Sequence, residues 1–247
     1  MAGVILAFDT SSALTSVAVV DAAGIVSARS HLDPRLHAEV LAPLFADLRT
    51  DADPSNVTAV ACGVGPGPYT GLRVGIATAL AVGTAWQRPV VGICSLDAIA
   101  LAVVDAGPRP DGFGVAVDAR RREVYWAWYA GDGSRLEGPR VSPAADIDPE
   151  RRAGDWAGHG AALQPNLFGT LLAGDVADDP TSYAHAGWVG RRAHVLLDAG
   201  MSPLRTVPPL DAHGEDTGAT SQVLGGHDLL PPRPLYLRRP DAVGTAR

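Results

Sequence analysis

The stretch "CGVGPGPYTGLRVG", residues 62–75, crowds glycines and two prolines between an apolar run (57–64) and a helical pattern (72–86). Glycine-rich bends at a strand-to-helix junction often cradle phosphates, through consecutive backbone N–H groups and the helix N-terminus. This bend lacks the usual signatures. A Walker A loop would place Lys and Ser or Thr after Gly71, where Leu72 and Arg73 stand, and Gly65, Gly67 and Gly71 miss the dinucleotide spacing by one. Pro66 and Pro68 remove two of the N–H groups a phosphate would need, and they stiffen the loop. The bend therefore reads as a fixed shape, with a phosphate contact at the helix N-terminus left open.

The helix after the bend carries Gly71, Gly75, Ala79 and Gly83 at intervals of four, which puts them on one face. Each glycine there costs roughly 1 kcal/mol against alanine. Two readings stay open on the residues alone. The small face packs on the protein's own sheet, or it admits a helix of another subunit.

Upstream, 4–8 and 16–21 read as strands joined by a polar turn, and 25–30 as a third strand. Residues 37–48 have the 3.6 period of an amphipathic helix, with Pro43 kinking it or marking its start. Downstream, 90–94 is a buried strand and 106–112 the best linker. Then 113–118 and 123–129 repeat the strand–turn–strand pattern, with Asp9 and Asp118 closing the first strand each time. This is a faint internal duplication. Residues 183–199 look helical, and the Gly-, Pro- and His-rich stretch 208–232 is expected to be a mobile loop.

Composition narrows the function. The 247 residues hold one large domain or two small ones, 47% hydrophobic and 19% charged, with a net charge of −7. No long-range field draws the surface to polyanions. All 20 basic residues are Arg, which excludes a Walker lysine, a Schiff-base lysine and a Ser–Lys dyad. Cys62 and Cys94 lie in apolar runs, the setting of inert thiols rather than of a disulfide or metal framework. With no signal peptide or apolar span, a cytoplasmic protein without membrane attachment is expected.

Six segments, "LAFDTSS…TSVAVVD", "HAEVLAP", "GVGPGPYTGLRVGIATAL", "PVVGICSLDAIA", "VDARRREVYWAWY" and "PLYLRRPDA", run in order along nearly the whole chain. Together they closely resemble the TsaB family, the dimerization subunits of the bacterial tRNA threonylcarbamoyladenosine-synthesising complex. The resemblance implies an α/β, two-lobed actin-like ATPase fold (acetate/sugar kinase, heat-shock chaperone, actin) with mixed sheets. It places an N-terminal lobe at 1–105 and a smaller C-terminal lobe at 113–247. It also implies a TsaD-type catalytic paralogue and a TsaE-type ATPase as partners, with tRNA bound only within the complex.

In the catalytic paralogue a His-x-x-x-His pair binds a metal. Aligned on "PVVGICSLDAIA", the two positions hold Ser95 and Ile99, and isoleucine cannot ligate a metal. No catalytic residue, metal or cofactor is therefore expected. A lone His37 reads as a surface or capping residue. Asp9, Thr10, Ser11 and Asp118 mark a degenerate nucleotide site, since Arg120, Arg121 and Arg122 stand where glycines would admit phosphates. The bland alternative for Asp9 and Asp118 is turn capping. Through the resemblance, the open question about the helix resolves toward an interface. His37, Leu41 and Leu44 of one helix, with Leu72, Gly75, Ile76, Ala79 and Gly83 of the other, would meet the paralogue or a second copy of the chain. Arg238 and Arg239 are the candidate tRNA contacts. An active ATP-dependent kinase or transferase, and a metallopeptidase, remain as rivals.

Overall fold

The computed structural model describes residues 3–48, 53, 55–173, 176–202 and 229–237. Its first half opens on an antiparallel meander of β1 (Val4–Asp9), β2 (Leu14–Asp21) and β3 (Gly24–Leu32). Helix α1 (His37–Leu48) follows, with Pro43 inside it. Strand β4 (Val57–Gly63) lies parallel to β1, the bend leads into α2 (Tyr69–Trp86), and β5 (Val90–Ile93) lies parallel to β4. Helix α3 (Ser95–Ala106) closes the half.

The second half repeats the plan. A meander of β6 (Phe113–Asp118), β7 (Glu123–Tyr129) and β8 (Arg135–Pro143) leads to α4 (Pro149–Arg152) and β9 (Asp155–Ala157). Then come α5 (His159–Ala162), β10 (Thr170–Leu171) and α6 (Ala186–Asp198). The sheet orders correspond, β5-β4-β1-β2-β3 and β10-β9-β6-β7-β8, with β6, β9 and β10 parallel as β1, β4 and β5 are. The faint sequence duplication is thus a duplication of topology. The halves differ in their helices: α1 and α2 have 12 and 18 residues, α4 and α5 only four each.

Alternation in the strands explains the layers. Leu6, Phe8, Val17 and Val19 point to one face of the first sheet, under Leu41 and Leu48 of α1 and Leu72 and Ile76 of α2. Ile5, Ala7 and Ala18 point to the other, under Ala186, Val189 and Ala193 of α6. In the second sheet the outer face is filled by Trp126, Trp128, Trp156 and Phe168.

Strands β1 to β5 and β6 to β10 fall on either side of the expected 105/113 division, but the helices and β11 cross it. Helix α3, from the first half, packs on β6, β7 and β9, while α6, from the second, packs on β1, β2 and β4. Each sheet has an inner apolar face to cover, and the last helix of each half lands between the sheets, where α3 and α6 touch. The C-terminal segment also returns to the first lobe. Strand β11 (Leu229–Leu230) pairs antiparallel with β5, so the expected loop ends in a strand; its residues 208–228 lie outside the described residues. Among the described residues no helix is long and apolar enough to cross a membrane.

Candidate functional site

The Gly–Pro bend closes on the chain itself. A methyl at Gly63 would strike Asp9 Oδ2, and one at Gly67 would strike the Ser11 carbonyl. At Gly71 it would lie 2.6 Å from the Thr10 carbonyl, and at Gly75 it would strike Thr10 Oγ1. Asp9, Thr10 and Ser11, at the β1–β2 turn, thus fill the concave side that a phosphate would need. On the outside, Leu235 N–H donates to the Val64 carbonyl at 2.8 Å, and Tyr236 stacks on Tyr69 at 4.8 Å.

The polar groups of this turn are already engaged. Asp9 is fully buried, and its Oδ1 accepts from the amide and the hydroxyl of Ser11, both at 2.8 Å. Its Oδ2 accepts from Ser95 Oγ at 2.9 Å, and that oxygen in turn accepts from Gly65 N–H at 3.2 Å. Burial is the main cause that pushes the Asp9 carboxyl up to about 6. Thr10 Oγ1 donates to the Gly71 carbonyl at 2.7 Å and accepts from Gly75 N–H at 3.0 Å. Ser12 Oγ accepts from Leu14 N–H at 3.2 Å.

Of the four residues grouped as a degenerate nucleotide site, the structure brings only Ser11 and Asp118 to one cleft. It holds about 190 Å³ and is also lined by Ser12, Arg120, His159 and Tyr183. Small-molecule sites usually run to about 300–1,000 Å³. Asp9 and Thr10 face inward instead. Asp118 caps its own turn, Oδ1 accepting from Arg120 N–H at 2.9 Å, as Asp9 caps with Ser11. Arg120, Arg121 and Arg122 hold φ of 63°, 54° and 64°, a left-handed run that disfavours any residue with a Cβ.

The residues expected at an interface also face inward. His37, Leu41, Leu72, Gly75, Ile76, Ala79 and Gly83 are buried within the chain, and Leu44 is half-buried against the same core. The small stripe exists because Thr10 and, at Gly83, the Val90 side chain occupy the space a side chain would take. His37 is neither a surface residue nor a cap. Its Nδ1 shares a 2.6 Å hydrogen bond with Thr15 Oγ1, and burial holds its pKa below the usual histidine value. The outward face is a different set: Ala38, Glu39, Ala42, Pro43, Ala46 and Asp47 on α1, and Arg73, Ala77, Leu80, Ala81, Thr84 and Ala85 on α2, Leu80 being 41% exposed. That surface was overlooked although its signal was present, since Arg73 is the only charge in α2.

At α3 the two positions aligned with metal ligands are filled by a hydrogen-bonded Ser95 and a buried Ile99. Two residues on from Ser95, Asp97 makes a contact that sequence reasoning missed. Both its carboxylate oxygens accept from Arg135 Nη1, at 2.6 and 2.7 Å, and Tyr129 Oη donates to Oδ1 at 2.7 Å. The pair is almost wholly buried. The first turn of α3 is therefore held by Asp9 in one lobe and by β7 and β8 in the other. Burial pushes both thiols up, Cys94 to about 12, so they stay protonated. Arg238 and Arg239 lie outside the described residues.

A family model described as "TsaD: tRNA N6-adenosine threonylcarbamoyltransferase" matches residues 24–155. The Escherichia coli tRNA threonylcarbamoyladenosine biosynthesis protein TsaB is 31% identical over 171 residues, 65% of this chain and 72% of that protein. The chain belongs to the TsaB family. An uncharacterized protein of Mycobacterium tuberculosis is 44% identical over 242 residues, 96% of this chain and 93% of its own. Among solved structures, YeaZ from Pseudomonas aeruginosa superposes with a TM-score of 0.66 at 26% identity, covering 80% of this chain and 93% of that one. The two-lobed actin-like fold expected of a TsaB-family chain is the fold found.

Proposed function

We propose that this TsaB-family chain is a non-catalytic scaffold for threonylcarbamoyl transfer to N6 of the adenosine beside the anticodon, in tRNAs reading codons that start with A. It docks a TsaD-type catalytic paralogue, acts with a TsaE-type ATPase, and works in the cytoplasm. The carrying observation is the β1–β2 turn. Where an ATP-using relative of this fold would hold phosphates, Asp9, Thr10 and Ser11 bond to one another, to α2 and to α3. The names of the TsaB relatives support the pathway.

The outward face of α1 and α2 is the docking surface in this reading. On α2 it is built mostly from small residues and carries a single charge, Arg73, so a second helix can approach closely. Contact with tRNA through Arg238 or Arg239 belongs to the same reading.

Leu80→Glu and Ala81→Arg should abolish co-purification with the paralogue and leave the unfolding midpoint unchanged. Ala79→Leu, which points inward, should instead lower stability by about 1–3 kcal/mol through overpacking. Threonylcarbamoyl transfer should need both proteins, and the Leu80→Glu chain should fail to support it. Turnover by the isolated chain, or heat on titrating it with ATP and magnesium, would overturn the scaffold reading in favour of an active enzyme.

A further inference from the structure

The two docking helices are fastened to the β1–β2 hairpin by threonine hydroxyls. Thr15 holds α1 through His37, and Thr10 holds α2 through Gly71 and Gly75. The second contact is unusual in kind. Gly71 C=O and Gly75 N–H are residues i and i+4 of α2, the acceptor and donor that a helix ladder pairs directly. Thr10 Oγ1 bridges them, donating to one and accepting from the other. A side chain entering the ladder is a recognised cause of bending in a helix.

The surroundings make that bridge decisive for geometry. Gly71 is where α1 and α2 come together, since a methyl there would lie 3.3 Å from His37 Nε2. Directly opposite the bridge, across the width of the helix, Arg73 and Ala77 begin the outward face. A change of tilt at Gly71–Gly75 therefore moves that face relative to α1.

We propose that Thr10 is a positioning residue for partner docking: its hydroxyl, bridging Gly71 and Gly75, sets the angle of α2 against α1 and so the shape of the surface the partner meets. The proposal rests on the docking reading above. Valine keeps the shape of threonine and removes the bridge, leaving Gly71 C=O and Gly75 N–H only each other as partners. Serine keeps the bridge.

The test measures the dissociation constant of full-length Thr10→Val and Thr10→Ser for the TsaD-type paralogue of the same genome, together with amide hydrogen exchange of the free chains. Thr10→Val should weaken association about tenfold or more and alter exchange only at the amides of 71–77. Thr10→Ser should bind within about threefold of wild type. Wild-type affinity in Thr10→Val overturns the proposal. So does weaker binding accompanied by faster exchange throughout the first lobe, because Thr10 then acts only as core packing. Leu80→Glu separates the two levels. If it loses binding while Thr10→Val does not, the positioning role alone fails; if it binds normally, the docking surface is wrong and the positioning role falls with it.

Discussion

Asp9 meets three hydrogen bonds from neutral donors at full burial, and desolvation outweighs them, so its carboxyl titrates at about 6. In the unfolded chain an aspartate titrates near about 4. The folded state therefore holds its proton more tightly, and that preference stabilises the fold at low pH. The contribution is complete below about 4 and is lost as pH rises through about 6. Between pH 4 and pH 7 the wild type should lose about 2 kcal/mol that Asp9→Asn keeps. Urea unfolding of both proteins at half-unit pH intervals gives the two curves. Parallel curves would show that Asp9 is not the group responsible. The turn was legible as two strand-closing aspartates, but not which of the pair is buried. Asp9 and Asp118 begin the same local motif, and only the bend folded over Asp9 distinguishes them.

At the scale of elements, the first turn of α3 joins the lobes through the buried Asp97–Arg135 pair. Removing one partner of a buried pair leaves a desolvated charge, at a cost of about 3–5 kcal/mol. Asp97→Leu and Arg135→Met should each lower stability by that much. The double variant should recover most of the loss, since an apolar replacement of both partners is often neutral. A thermal or urea midpoint series reads this directly, and additive losses would contradict it. Element boundaries followed from the apolar period: α1, β6 and β7 stand where the pattern put them. The direction α2 faces did not follow. Its stripe at 71, 75, 79 and 83 and its opposite side at 73, 77, 81 and 84 are both narrow and nearly uncharged, so periodicity gives two faces and no preference. The choice is made by Thr10, 61 residues away from Gly71 in the chain. The clamp at Asp97 left a trace, a lone charge early in an apolar helix, but its partner lies 38 residues on.

For the whole molecule, the helix exchange between halves makes each lobe depend on the other. A chain cut within the linker at 107–112 gives one fragment that ends with α3 and lacks α6, and another in the reverse condition. Neither should unfold cooperatively alone, and mixing them should restore a one-to-one complex with native circular dichroism. Independent folding of either fragment would refute that dependence. The same exchange bears on how the protein is made. On the ribosome the strands β1 to β5 emerge first, but the helix that roofs Ile5, Ala7, Ala18 and Ile93 is not complete until residue 198. At about 5–20 residues per second the roughly 90 residues after α3 take on the order of 5–20 s to appear. Throughout that interval strands β1 to β5 stand with one greasy side open to solvent, a target for nascent-chain chaperones that the mature protein buries under α6.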